Sequence, residues 1–384
     1  MSGWLIFLTV FASLAVGWFI GRYQGLLQFK NLPSNPISSK YFKGLNYLVN
    51  EQPDQAIHHF ITLLEADSES IELQLVLAKL FRKKGELERA ITLHQRLLAR
   101  PDLTLEHRQR ITIELAEDYF SAGLHDRAEQ LLEETISEGQ SKEAMGLLFS
   151  IWEAHKDWSK VLSSAEQVKS LPEPLAKRVV GACCELSKQH PEDAYYYLNT
   201  AEKYYQDSAM LQFFYAEVHL QMGNKRKALK RLRKLITLDQ SMIPLALPLL
   251  KRCFEEGSLW MTSLRSVLED WYELNPSISV VKELLGVVLE EDGFDAALIF
   301  LTEYLKIRPS IPGLVQLVDL HLKLGERHDQ ATMTMFRNLC AQIVEERNQY
   351  QCQKCGYQSQ RMYWHCPNCR KWESIRPVYG LDAE

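Results

Sequence analysis

The 384-residue sequence contains no glycine-rich phosphate loop, no nucleophile elbow and no HExxH motif, so it lacks the short signatures of the common catalytic folds. It is therefore expected not to be an enzyme. Low-complexity tracts and an acidic tail are also missing. With 24% charged and 46% hydrophobic residues, the composition excludes extended disorder. No charge of one sign dominates: a net charge of -5 gives no global pull toward nucleic acid and leaves such binding to a local basic patch. Nor is there a disulfide framework. Cys183, Cys184, Cys253 and Cys340 are scattered through apolar helical sequence and read as small buried residues with inert thiols, the usage of a reducing compartment. The chain is also too long for one ordinary core, which favours an extended array.

Charge is absent altogether from Trp4 to Ile20, a stretch that as a helix covers roughly 25 Å, the short end of what crosses a bilayer. A cleaved signal peptide would need a basic start and a small-residue cleavage site, and neither is present. Residues 1–22 are thus expected to form a transmembrane anchor and 23–39, with Pro33 and Pro36, a linker. No acidic residue precedes Glu51, whereas Arg22, Lys30, Lys40 and Lys43 follow the apolar run. By the positive-inside rule the bulk of the chain faces the cytoplasm.

What the rest of the chain does contain is a period. Ala56, Ala90, Ala128, Val161, Ala194, Ala228, Leu264, Ala297 and Ala331 are separated by 34, 38, 33, 33, 34, 36, 33 and 34 residues. Two antiparallel helices and two turns need about this length, with a small side chain where the helices cross closely. Gly85, Gly123, Gly223, Gly293 and Gly325 stand four to six residues ahead, in the expected turn within each pair. Twelve residues ahead stand Gly44, Ala78, Ala116, Ala182 and Ala216, the matching sites on the first helix, with aromatic fillers at Tyr47, Phe81 and Tyr119. Pro101, Pro276 and Pro309 end second helices. This pattern resembles the tetratricopeptide repeat over residues 40–344, about nine units, and the resemblance implies a superhelix that binds protein segments.

Two clusters inside the array need a reading. Lys225, Arg226, Lys227, Lys230, Arg231, Arg233 and Lys234 crowd one second helix above the buried stripe Leu229, Leu232 and Ile236. They read first as a solvated face, then as a surface for an acidic partner, and last as one for nucleic acid or anionic lipid. Tyr195, Tyr196, Tyr197, Tyr204 and Tyr205 read as fillers between helices, with a recognition patch as the alternative.

Residues 345–384 carry the one chemical motif. Cys352, Cys355, Cys366 and Cys369 form two CxxC knuckles ten residues apart, a spacing that lets four thiolates close on one tetrahedral ion, iron or zinc. A segment of about 40 residues buries too little apolar surface to fold alone, so the ion would supply much of its stability. A closed four-thiolate site has no open position for a substrate. His365 beside Cys366 is expected not to be a ligand. Rival readings are a rubredoxin-type electron carrier and a nucleic-acid-binding ribbon using Arg361, Arg370, Lys371 and Arg376.

The knuckles YQCQKCGY (350–357) and YWHCPNC (363–369) resemble a shortened rubredoxin domain. With the anchor, the array and the ending RPVYGLD (376–382), the chain resembles the lipopolysaccharide assembly protein B family in domain order throughout. That resemblance implies an all-α tetratricopeptide-repeat superhelix with an N-terminal transmembrane helix and a small C-terminal rubredoxin-like metal ribbon. It implies an inner-membrane location in Gram-negative bacteria and an adaptor role that restrains lipopolysaccharide synthesis. The implied partners are an LpxC-like client deacetylase, an FtsH-like membrane protease that degrades it and an inner-membrane lipid A sensor protein that binds the anchor. The implied metal ligands are Cys352, Cys355, Cys366 and Cys369. Nucleic acid is not among the expected partners, and a homo-oligomer is left open.

Overall fold

The computed structural model describes residues 36–66, 70–138, 141–168, 170–254, 261–323, 330–345 and 347–380. The anchor segment 1–22, residues 23–35 of the expected linker and Gly325 lie outside the described residues. Among those described, no helix is long and apolar enough to cross a membrane.

Helices follow one another in pairs: α1 (Pro36–Val49) and α2 (Pro53–Ala66), α3 (Ile71–Lys84) and α4 (Leu87–Leu98), α5 (Leu105–Ser121) and α6 (His125–Glu138). Then come α7 (Lys142–His155) and α8 (Trp158–Glu166), α9 (Glu173–Gln189) and α10 (Ala194–Tyr204), α11 (Ala209–Gln221) and α12 (Lys225–Leu238). The last are α13 (Ile243–Phe254) and α14 (Met261–Leu274), α15 (Ile278–Glu291) and α16 (Phe294–Ile307), α17 (Ile311–Lys323) and α18 (Gln330–Glu345). The expected linker is corrected at one end, because residues 36–39 are already helical. A proline is tolerated in a first helical turn, where its missing N–H has no partner to lose.

The chain divides into two compact units, 1–151 and 152–384. All nine periodic positions fall in the second helix of a pair. Ala56, Ala90, Ala128, Val161, Ala228 and Ala297 are fully buried, while Leu264 is partly exposed. Their counterparts Ala78, Ala116, Ala182 and Ala216 are fully buried on first helices. In the first unit, Phe60, Leu77 and Phe81 pack with Ala56 and Ala90. A buried polar knot ties α3, α4 and α5: Arg82 bonds Asp118 at 2.6 Å and Glu114 at 2.7 Å, and His94 Nδ1 meets the other Asp118 oxygen. Burial would raise the Glu114 carboxyl, but its bonds to Lys79 and Arg82 outweigh this and hold it below the usual range.

Five of the turns within pairs share one hydrogen-bond pattern, whereas the turn at Gly293 is closed by the Asp292 N–H on the Val288 carbonyl. At Gly85, Gly123 and Gly223 a positive φ lets the next N–H reach a carbonyl five residues back, as from Leu124 to Tyr119 and from Asn224 to His219. The same bonds close the turns at Glu51 (φ 56°) and Lys156 (φ 62°), where the sequence has no glycine. These two side chains hold a left-handed backbone at a steric cost.

The second unit ends in a ribbon of three short antiparallel strands, β1 (Tyr350–Cys352), β2 (Gln358–Ser359) and β3 (Ile375–Pro377), in the order β2-β1-β3. Tyr350 pairs with Ser359 on one side, and Gln351 with Arg376 on the other. Replacing Lys156 by glycine is expected to stabilise the chain by about 0.5–1 kcal/mol by relieving the left-handed turn. Denaturant unfolding checks this, and an unchanged or lower midpoint would show that no strain was released.

Candidate metal centre and its seat on the helices

Strand β1 delivers Cys352, and the chain turns so that the Gly356 N–H bonds the Cys352 carbonyl at 3.0 Å. Gly356 takes φ 75° there. In the second knuckle the Arg370 N–H bonds the Cys366 carbonyl at 2.9 Å, and Arg370 adopts the same left-handed conformation at φ 54°. The two turns bring the sulfurs of Cys352, Cys355, Cys366 and Cys369 within 4.8 Å of one another. Cys352 Sγ lies 3.7 Å from Cys369 Sγ, and Cys355 Sγ lies 3.7 Å from Cys366 Sγ. A tetrahedron with metal–sulfur bonds of about 2.3 Å has edges of about 3.8 Å, so the donor set fits one ion such as zinc or iron.

The electrostatics agree with that fit. Burial works against ionising Cys352, but the Ser374 hydroxyl and the N–H groups of Cys355 and Lys354 outweigh it and bring the thiol down to about 6. The Tyr357 N–H lowers Cys355. Cys366 is raised by burial, and Cys369 is pushed up to about 12 by burial and by the thiols around it. Four neighbouring thiols thus resist ionising together, the conflict that a divalent cation at their centre removes. His365 takes no part: it stacks on Trp372 with centroids 4.5 Å apart, and its Nε2 lies 3.0 Å from the Arg370 carbonyl. Elsewhere Cys183 and Cys253 are buried, their thiols pushed up by burial to about 12 and about 11, and burial also raises Cys184 well above the ordinary thiol value. Cys340 is half-buried on α18.

Tyr350 and Tyr357 pack around the buried Cys352, Cys366 and Ile375. Trp364 and Trp372 instead point into the helices. The Trp372 indole N–H donates to Glu153 Oε1 at 3.0 Å, its ring meets Trp158 edge-on at 5.8 Å, and its face covers Gly181. Glu153 is 4% exposed and receives both arms of Arg178 at 2.8 Å, so its buried charge is paired. Trp364 lies against Phe213 at 5.6 Å. Glu373 accepts from Ser208 Oγ (2.9 Å) and from the Met210 N–H (2.8 Å), placing a carboxylate at the positive end of α11. Arg376 pairs with Asp239 at 2.7 Å, and the Tyr379 hydroxyl donates to the Ser241 carbonyl at 3.0 Å.

The ribbon is thus seated on the first helices of the second unit. Its direct contacts run from α7 to the start of α13, with Asn275 after α14 bonding Tyr379 at 3.2 Å. Between the ribbon strands and α15, α17 and α18 lies an open groove of about 450 Å³, lined by Lys282, Val315, Asp319, Arg337, Tyr350 and Val378 among others. Of the tyrosine cluster, Tyr197, Tyr204 and Tyr205 are half-buried as expected of fillers, whereas Tyr195 and Tyr196 are 40% and 60% exposed. Sequence reasoning missed Glu153, Arg178 and Gly181. No motif marks them, since their partners lie far away in the chain.

Residues 350–377 match the family described as rubredoxin metal binding domain, and residues 43–103 match the tetratricopeptide repeat. Over 390 residues the chain is 30% identical to lipopolysaccharide assembly protein B of Escherichia coli strain K12, covering 99% of each chain. The protein of that name from Haemophilus influenzae is 28% identical over 391 residues, with 97% of this chain and 98% of the relative covered. Among solved structures, the C-terminal part of a tetratricopeptide-repeat protein from Cytophaga hutchinsonii aligns with 67% of this chain and 98% of its own length, at 10% identity and a TM-score of 0.42.

A Cβ on Gly181 would stand 2.6 Å from three atoms of the Trp372 ring. Alanine is favoured over glycine inside a helix by about 1 kcal/mol, yet Gly181→Ala is expected to weaken ribbon docking by about 1–3 kcal/mol. Limited proteolysis between Glu345 and Tyr350 reads this, and resistance equal to the parent chain would contradict it.

Proposed function

The chain belongs to the lipopolysaccharide assembly protein B family, and from that premise we propose that it is a non-catalytic adaptor regulating lipopolysaccharide synthesis at the bacterial inner membrane. Residues 1–22 anchor it in a single pass with the bulk of the chain on the cytoplasmic side. The repeat array holds an LpxC-like client beside an FtsH-like membrane protease, and a lipid A sensor protein acts through the anchor. Cys352, Cys355, Cys366 and Cys369 hold one iron or zinc ion, whose part is to fold the ribbon.

The observation that carries this reading is the junction of ribbon and array. Trp372 and Glu373 lock the ribbon onto α7 to α11, and the groove beside α15, α17 and α18 has helices on one side and β1 and β3 residues on the other. A surface built jointly in this way exists only while the ribbon is folded, which gives the metal a role without chemistry. Anchoring does the rest, because a client held at the membrane meets a membrane protease at an effective concentration far above its bulk value. The uncharged stretch Trp4 to Ile20 and the cations that follow it support the anchor and its orientation.

Replacing Cys352 and Cys355 by serine is expected to unfold the ribbon and to lengthen the client's half-life in cells several-fold, with the chain still in the membrane fraction. Immunoblot chase of the client measures this. Unchanged turnover in a chain shown to have lost its metal would refute the proposal.

A further inference from the structure

Helix α12 carries a row of cations that the fold does not use. Of its seven basic residues, Arg231 bonds Glu202 at 2.7 Å and covers the Tyr215 ring, and Lys234 lies 3.8 Å from Asp207. Arg226, Lys227, Lys230 and Arg233 are exposed, and among the described residues none of these four forms an ion pair. Arg226, Lys230 and Arg233 recur at helical spacing along one face over about 10 Å, with Lys227 beside them.

Two features make this arrangement unfavourable for the helix alone. Like charges three and four residues apart repel, and α12 contains no acidic residue to relieve them. Lys225, Arg226 and Lys227 also occupy the first turn, where the helix dipole disfavours positive charge. A row kept against both effects points to an external anion.

The side-chain chemistry separates the candidate anions. A protein interface needs an apolar centre that sheds its water. On α12 the apolar residues Ala228, Leu232, Leu235 and Ile236 are buried on the other side, Leu229 is half-buried and Leu238 is exposed only at the helix end, so the row itself offers no such centre. An anionic lipid surface needs none, because it attracts solvated cations through water over a Debye length of about 8 Å.

We propose that Arg226, Lys227, Lys230 and Arg233 lie against anionic lipid headgroups and so fix which face of the array the membrane covers. This inference rests on the reading that the chain is anchored in that membrane.

The test uses the full chain reconstituted with vesicles of phosphatidylcholine, with or without phosphatidylglycerol. Flotation reports the anchor, and amine acetylation of Lys227 and Lys230 reports the row, with the exposed Lys306 as reference. Flotation is expected on both vesicles. Phosphatidylglycerol should reduce labelling of Lys227 and Lys230 by at least about five-fold, an effect lost at about 1 M salt, where the Debye length is about 3 Å. The double variant Arg226→Gln, Arg233→Gln should lose most of that protection while keeping its metal content. Equal labelling on both vesicles with normal flotation overturns the inference and leaves the anchor standing. Failure to float on phosphatidylcholine counts against the anchor, while salt-sensitive flotation on phosphatidylglycerol alone would still support the row. Protection by soluble polyglutamate but not by phosphatidylglycerol would assign the face to an acidic protein and overturn the inference.

Discussion

The contact between the Trp372 ring and the bare backbone of Gly181 is the constraint on which the rest of this structure depends. It is possible only because Gly181 has no side chain, and it is directed by the bond from the indole to Glu153. Trp372 in turn stands three residues beyond Cys369, bridged across the hairpin to His365, so its position is set by the fold of the second knuckle. The ribbon has little else to hold that fold: its buried apolar cluster is Cys352, Cys366 and Ile375 with a few flanking side chains. The four-sulfur cluster, the tryptophan and the glycine are thus links in one chain of dependence, running from the knuckles to the helices that Trp372 touches.

Charge is used in two opposite ways along the array. Inside, Arg82 with Glu114 and Asp118, and Arg178 with Glu153, are largely removed from water and fully engaged, which fixes how neighbouring helices meet. Removing one member of such a set strands the other, so these residues specify geometry more than they add net stability. On α12, Arg226, Lys227, Lys230 and Arg233 are exposed and form no ion pair among the described residues, contributing a field and no geometry. The first pattern fixes how helices meet within each unit, and the second leaves a charged face on α12.

Much of the fold was legible because the repeat forces it to be. A residue every 33 to 38 positions, small at all but Val161 and Leu264, marks the second helix, and Gly85, Gly123 and Gly223 mark the turns, since each requirement is local in sequence. Glu51 and Lys156 show where that legibility ends: the same hydrogen bonds form without the glycine, so the turn is present and its mark is not. The convergence of the four cysteines was legible from spacing alone. The seat of the ribbon was not, because Glu153 and Trp372 are 219 residues apart, and nothing local to Gly181 distinguishes it from the small residues of any other first helix.

The central claim is that the ion, through the ribbon, stabilises the helices that the ribbon touches. The direct measurement is thermal unfolding of the full chain, followed by helical circular dichroism, with the metal bound and after its removal by a chelator. Removal should lower the helical midpoint by about 2–4 °C for each kcal/mol of docking lost. Superimposable helical transitions, with the ribbon alone unfolding, would contradict the claim.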